Sequence, residues 1–281
     1  MAELKDVIKK RISVRSYSDK ICEESKLKEL MDFIGSRCSE GPFGTKIRFQ
    51  LVEATDYDLE ELKKLGTYGM IRGARLYLAG AAVAGLRCSE DFGYCMEAAI
   101  LKASGLGIGT CWLGGSLDRG AFGLKIGLKK GEIIPAVTPL GYPSTERTQE
   151  DQSVRARVEA DSRKDFEELF SGGDGKPLDR KSLGKYEESL EAVRLAPSAS
   201  NKQPWRVIYE ESKKSFDFYL DEDYNYNNRF KDIKLQNIDM GIAMCHFESV
   251  SRESGLDGKW LTGLPGIGAG KLIYIVSWVQ N

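Results

Sequence analysis

Histidine is almost missing: His246 is the only one in 281 residues. That excludes a histidine-rich metal centre. It also leaves Cys111, beside Trp112, without a histidine in its own part of the chain to activate it, so a structural thiol is expected there. His246 itself, between Cys245 and Phe247, reads as a structural or surface residue of a helix. No apolar run reaches the roughly 18 residues of a membrane span, and the charged residues 1–10 hold no apolar signal core, so neither a membrane nor secretion is expected and the chain reads as cytoplasmic. Cations and anions nearly cancel to a net charge of -1, which argues against a general nucleic-acid surface. The cysteines Cys22, Cys38, Cys88, Cys95, Cys111 and Cys245 form no C-x-x-C pair and read as reduced, semi-buried thiols. No G-x-G-x-x-G opens a helix of a βαβ unit, and no P-loop is present.

What is present is a hydrophobic content of 41%, enough for one large core or two modest ones. The chain's most informative stretch is 196–206, Ala-Pro-Ser-Ala-Ser-Asn-Lys-Gln-Pro-Trp-Arg. It follows an amphipathic run, Tyr186–Leu195, in which Tyr186, Leu190 and Val193 share a face. Pro197 should stop that helix, and the β-prone run from Trp205 to Tyr209 comes next. A polar helix-to-strand loop anchored by Trp205 would explain these residues. Asn201 and Gln203 each also carry a donor and an acceptor, the chemistry needed to read the edge of a planar heterocycle.

In the first half, a short helix over 1–10 leads into Arg11-Ile12-Ser13-Val14-Arg15, whose alternation puts Arg11, Ser13 and Arg15 on one side of an extended segment. Two guanidinium groups around a hydroxyl suit a phosphate, although a charged edge segment would look the same. Helices are expected over 19–34, 56–65, 90–104 and 117–125. Strands are expected over 46–52, 76–84 and 132–140, the last at a sheet edge because it holds two prolines. Residues 106–115 include four glycines, which permit close approach to a flat ligand. The charged stretch 146–168, with Arg163 and Lys164, reads as a solvated linker helix.

Ser171-Gly172-Gly173-Asp174-Gly175 is the strongest boundary signal. Beyond it come the helix before Pro197, a hairpin over 206–220, a polar aromatic loop at 223–229, a helix over 235–252 and a final strand over 271–279. Ser104-Gly105-Leu106 leading to Trp112-Leu113 is echoed by Ser254-Gly255-Leu256 leading to Trp260-Leu261, each after a long helix and before an apolar strand. That is the mark of an internal duplication, two copies of one α+β unit packed about a pseudo-twofold axis.

Together these motifs resemble the nitroreductase family of flavin enzymes, in the branch whose chains carry two fused, diverged copies of the fold. The resemblance spans most of residues 5–279. It implies an α+β, nitroreductase-like fold with antiparallel or mixed sheet flanked by helices, internally duplicated as a pseudo-dimer: an N-terminal half at 1–170 and a diverged C-terminal half at 171–281, intertwined. It further implies that Arg11, Ser13 and Arg15, with Arg163 or Lys164, hold the phosphate of FMN. Pro197, Ser198, Ala199, Ser200, Asn201 and Gln203 would meet the ribityl chain or the ring, and the backbone amides of Leu113 and Gly114 would approach flavin N5 and O4. Reduction by NADH or NADPH and reoxidation by a small electron-poor acceptor, a nitroaromatic or quinone, would follow at the flavin, and no catalytic side chain or metal is nominated. Residues 68–75 and 224–228 are candidates for the rim; an ordinary surface loop would serve as well.

The departures from the family pattern are complementary. The first half has the arginine strip, but Arg37-Cys38-Ser39-Glu40-Gly41-Pro42 replaces the Pro-Ser-x-x-Asn loop; the second half has the loop but only residues 181–185 in place of the strip. One FMN per chain, between the halves, is therefore expected. Fusion removes the usual need to dimerise, so a monomer acting as a pseudo-dimer is expected, with a higher oligomer left open. A flavin binder with another task (storage, sensing, reductive dehalogenation or flavin breakdown) and an inactive scaffold stay open at this stage.

Overall fold

The computed structural model describes residues 3–54, 70–115, 117–230, 233–263 and 270–281. The helix expected at 56–65, and Tyr68 and Gly69 of the expected rim, lie outside the described residues.

The first half builds an antiparallel sheet from β1 (Ile47–Glu53), β2 (Leu76–Val83), β3 (Glu132–Ile133) and β4 (Val137–Leu140). β2 is its spine, pairing with β1 on one side and with both β3 and β4 on the other. The single strand expected at 132–140 is thus two pieces. Pro135 lies in the gap, where a residue without an N–H cannot continue a ladder. The helices here are α1 (Leu4–Lys10), α2 (Glu24–Arg37), α3 (Cys88–Gly105) and α4 (Arg119–Lys125). The second helix starts later and ends later than its apolar face suggested, but Leu30 and Ile34 are buried as that face requires.

The charged linker is not one helix. It is α5 (Gln149–Arg157) and α6 (Phe166–Leu169), with Arg163 in the turn between them. The boundary signal at 171–175 begins within a strand: β5 (Phe170–Gly172) lies parallel to β6 (Trp205–Glu210). With β7 (Ser215–Leu220), β8 (Gly258–Leu261) and β9 (Ile273–Gln280) it forms a mixed sheet in the order β5-β6-β7-β9-β8. α7 (Tyr186–Leu195) ends where Ala196, ahead of Pro197, turns extended (ψ 146), as a residue before proline prefers. The loop expected at 223–229 contains a short helix, α8 (Tyr224–Asn227), because the Asp223 carboxylate accepts from the Tyr226 amide and caps it. α9 (Leu235–Glu253) completes the chain's helices in the described residues.

α3 and α9 cross at the centre, and the duplication is written into that crossing. Asp91-Phe92-Gly93 on α3 is matched by Asp239-Met240-Gly241 on α9. A Cβ on Gly93 would stand 2.1 Å from the carbonyl oxygen of Ile238, and one on Gly241 would stand 1.9 Å from that of Glu90. Glycine at both points lets the two backbones touch. Further along, Trp112 donates to Glu97 (2.7 Å) and Trp260 to Glu248 (2.9 Å), each tryptophan bonding the long helix of its own half. Each glutamate is also bonded from the other half's helix, Glu97 by His246 and Glu248 by Tyr94. Cores are shared across the halves too: Ile8 of α1 and Leu101 of α3 pack with Ala192, Cys245 and Val250. All six cysteines are free and buried.

Candidate functional site

A cavity of about 950 Å³ opens between the halves, at the upper end of the roughly 300–1,000 Å³ usual for small-molecule sites. Arg11, Ser13 and Arg15 line it from the first half, and Pro197, Ser198, Ala199, Ser200 and Asn201 line it from the second. Leu113, Gly114 and Arg163 complete the expected residues that reach it. Lys164 and Gln203 are not in its wall. Lys164 turns its ammonium to Glu168 at 2.6 Å, and Gln203 is buried behind the loop.

The arginine strip is extended because it pairs with the glycine-rich segment: Ser13 bridges to Thr110, and the Val14 amide donates to the Thr110 carbonyl at 2.8 Å. Pairing on one side leaves the alternate side chains free to face the cavity. Arg15 is held by Asp151 at 3.1 Å. The Arg11 Nε is buried and has no partner among the described residues. Arg11 also lies close enough to Arg163 to hold the latter below the usual arginine range, after burial itself, which is the larger cause. Two guanidinium groups that repel each other, one with an orphaned donor, make a seat for an anion. Lys9 and Arg157, which the motifs did not single out, add positive charge to the same wall. Their signal in sequence was only their nearness to the strip and to Arg163.

The loop after α7 is strained. Ser200 (φ 51), Asn201 (φ 54) and Gln203 (φ 47) all lie in the left-handed region without being glycine. Side-chain bonds hold them there. The Gln203 amide proton goes to the Ser198 hydroxyl at 2.8 Å, and its side-chain oxygen accepts from the Lys164 amide at 2.9 Å. Asn201 donates to the carbonyls of Glu159 (2.9 Å) and Ser162 (3.1 Å), and Arg163 donates to those of Leu195, Ala160 and Ser162. The two amides expected to read a ring edge therefore clamp the loop to residues 159–164 instead.

On the glycine-rich side, Leu113 is not available as an amide donor either. It exchanges both backbone hydrogen bonds with Val137 at 3.0 Å, which fixes the segment on β4. The Gly114 amide donates to no described residue, and its carbonyl is taken by Arg119. A Cβ on Gly114 would come within 3.1 Å of Leu235, so this edge of the cavity is as narrow as glycine allows. Leu235, Ile238 and Ile242 of α9 supply apolar wall, and Tyr226 and Phe230 stand beside them. Ser200 bonds the Tyr226 hydroxyl at 2.9 Å. A flat ligand with an anionic tail matches this division between apolar slot and cationic strip. Cys111 also touches the cavity, but burial pushes its thiol up and keeps it inert.

Sequence reasoning missed Asp239. It sits on α9, almost fully buried, and lines the cavity. Its Oδ1 accepts from the Ala199 amide at 2.9 Å, its Oδ2 has no partner among the described residues, and burial pushes the carboxyl up to about 8. A single aspartate in an apolar helix gives no signal until the helix is placed. Among the described residues no cluster of acidic, histidine or cysteine side chains is arranged to hold a metal, and no helix is long and apolar enough to cross a membrane.

Three comparisons bear on this geometry. No curated protein matches the chain. Among solved structures, one described as "a putative nitroreductase" from Thermotoga maritima aligns with a TM-score of 0.60 at 17% identity, over 99% of this chain and 93% of its own. A nitroreductase family protein from Clostridium novyi NT (TM-score 0.44, 21% identity) covers 53% of this chain and 90% of its own. An FMN-dependent nitroreductase from Clostridium difficile R20291 (TM-score 0.40, 19% identity) covers 50% and 88%. The sequence profile of the family described as "Putative TM nitroreductase" matches residues 3–251. With a duplicated α+β fold and a match over that span, the chain belongs to this nitroreductase family.

Proposed function

We propose that the protein is an FMN-dependent oxidoreductase that takes reducing equivalents from NADH or NADPH and passes them to a small electron-poor acceptor, such as a nitroaromatic or a quinone. The observation that carries this reading is the convergence of the two motifs, each present in only one half of the sequence, on one cavity. We read residues 1–170 and 171–281 as the two diverged copies.

FMN fits the residues present. Its phosphate would meet the orphaned Nε of Arg11, with Ser13 and Arg15 beside it. Arg163 would act mainly through charge, because its N–H groups already hold the loop. Its flat ring would lie in the slot bounded by Gly114 and the apolar residues of α9, where a larger residue than glycine would fill the space. When bound, the flavin supplies the redox chemistry, accepting and donating hydride. The chain's own residues do the rest. Arg11 and Arg15 fix the tail, the free Gly114 amide offers a donor to the ring, and the strained 198–203 loop pre-forms the wall so that little ordering remains on binding.

A second, opposite site is disfavoured by the first half's own counterpart loop. There Asp91 accepts from the amides of Phe43 (2.8 Å) and Thr45 (2.9 Å), drawing the loop onto α3 and using both carboxylate oxygens. One flavin per chain is the expected stoichiometry. Extraction and quantitation of flavin from the purified protein tests this directly. Anaerobic bleaching by NADH or NADPH, followed by reoxidation with a nitroaromatic, tests the reaction; a colourless protein that takes up no FMN would overturn the reading.

A further inference from the structure

Asp239 is a buried acid in the lining of the cavity, with one oxygen tied to the fold and the other without a partner among the described residues. Its duplicate shows what a purely structural aspartate does at this position. Asp91 precedes Gly93 as Asp239 precedes Gly241, and each acid accepts from a helix-to-strand loop of its own half, after α2 for Asp91 and after α7 for Asp239. Asp91 uses both oxygens in that task, whereas Asp239 uses one. Holding the loop therefore accounts for Oδ1 and leaves Oδ2 unexplained, at a polar atom whose desolvation must be offset by something. The amides of Asn201 and Gln203 are engaged with residues 159–164, which leaves Asp239 as a deeply buried polar side chain in the lining of the apolar slot.

We propose that the free carboxyl oxygen of Asp239 hydrogen-bonds the polar edge of the planar ring held in this cavity, and so positions that ring between the halves. The inference rests on the flavin reading given above. It also fixes the direction of the bond. Burial keeps the carboxyl protonated at neutral pH. The Ala199 amide occupies Oδ1, so Oδ2 carries the proton and donates. Its partner must then be an acceptor, a ring carbonyl or an unprotonated ring nitrogen, and not a ring N–H. Once ionised, the same oxygen would face that acceptor with like polarity in a dry slot, and the ring would bind less tightly.

The titratable groups on the packed elements are otherwise occupied. Tyr226 of α8 is raised chiefly by burial and also feels Asp239, while its hydroxyl bonds Ser200. Lys202 of the loop pairs with Asp223, Glu90 of α3 is held by Arg87 and Asn237, and Tyr94 of α3 bonds Glu248. Arg229, at the far wall, is exposed. None of the described residues forms an ion pair with Asp239.

FMN titration of the full chain, followed by flavin fluorescence and the visible absorption spectrum from about pH 6 to about pH 10, tests the assignment. Wild-type affinity should fall ~10-fold per pH unit above about 8. Asp239→Asn keeps a donor at the cavity-facing position that cannot ionise, so its affinity should be close to wild type at neutral pH and level where the wild type declines. Asp239→Ala should bind more weakly, by ~10-fold or more, at neutral pH. FMN binding with the same pH profile in wild type and Asp239→Asn would overturn the assignment alone. An unchanging wild-type affinity across the range would do so even if the variants failed to fold. No FMN binding by the folded wild type at any pH would overturn the flavin reading and this assignment with it.

Discussion

Nε2 of His246 lies 2.9 Å from Oε1 of Glu97, with both side chains wholly buried and a proton between them. The other ring nitrogen of His246 faces the carbonyl of Ala192 at 2.9 Å; a carbonyl has no proton to give, so Nδ1 is the donor there. The second oxygen of Glu97 accepts from Trp112, in the wall of the cavity. One carboxyl thus joins the long helix of the first half, the long helix of the second and the glycine-rich segment. The only histidine of the chain is a joint between halves, structural as its isolation implied and buried at the centre, not at the surface.

Glu97→Ala should therefore destabilise the protein severely, by about 3–5 kcal/mol, because it strands His246 and the Trp112 indole in a dry core. Urea denaturation followed by tryptophan fluorescence measures this. A loss below about 1 kcal/mol would mean that the three groups find other partners.

The Arg11 guanidinium, with its unpartnered Nε beside Arg163, makes opposite predictions with and without ligand. Arg11→Ala should weaken FMN binding by ~10–100-fold, the loss of a charged hydrogen bond to phosphate. Riboflavin, which has no phosphate, should bind the variant and the wild type alike. Without ligand the variant should melt no lower than the wild type, since a repulsion has been removed. Equal losses for FMN and riboflavin would place Arg11 away from the phosphate.

Gly241→Ala should cost about 1–3 kcal/mol or more, because the new methyl would stand 1.9 Å from the Glu90 carbonyl and α9 cannot give way without leaving α3. Gly35→Ala, at a position on α2 with nothing within 4 Å, is the control and should be neutral or stabilising. Thermal denaturation of both variants measures how tightly the two helices are held at the crossing.

Asp239 should also mark the pH dependence of stability in the absence of ligand. An unfolded chain titrates this carboxyl near ~4, and the folded chain titrates it at about 8. Across that window the folded state binds the extra proton. Stability is therefore full below ~4 and falls as pH rises to about 8, by up to about 1.4 kcal/mol per pH unit. Asp239→Asn should remove that slope and become the more stable protein, relative to wild type, towards the alkaline end. Parallel denaturation curves at several pH values in that window would show a carboxyl that is not buried as described.

Lys164→Ala should leave FMN affinity within about 2-fold, because an exposed pair with Glu168 is worth little and lies off the cavity. Arg163→Ala should lower affinity and stability together, since it releases the carbonyls of Leu195, Ala160 and Ser162. The adjacent pair, scored by flavin titration and melting, separates charge on the wall from charge near it.

The sequence by itself determined the elements whose causes are local. α7 spans Tyr186–Leu195 because an apolar face at helical spacing runs into a proline. β2 is a continuous apolar run long enough for a buried strand, and Arg11, Ser13 and Arg15 face one way because an extended chain alternates. The duplication was legible in two Ser-Gly-Leu to Trp-Leu echoes, since helix ends and tight turns keep their residue types as copies diverge. Tertiary structure alone decided what depends on groups far apart in the chain. Asn201 and Gln203 have the chemistry to read a ring, but backbone groups at 159–164 take them first. Leu113 gives its amide to Val137, while Asp239 and Asp91, alike in sequence, differ by one free oxygen because only one of them meets two loop amides. A polar group's role is set by which partners reach it once the core has closed. In this protein the closure happens between two halves whose residues meet across well over a hundred positions of chain, as Glu97 and His246 do.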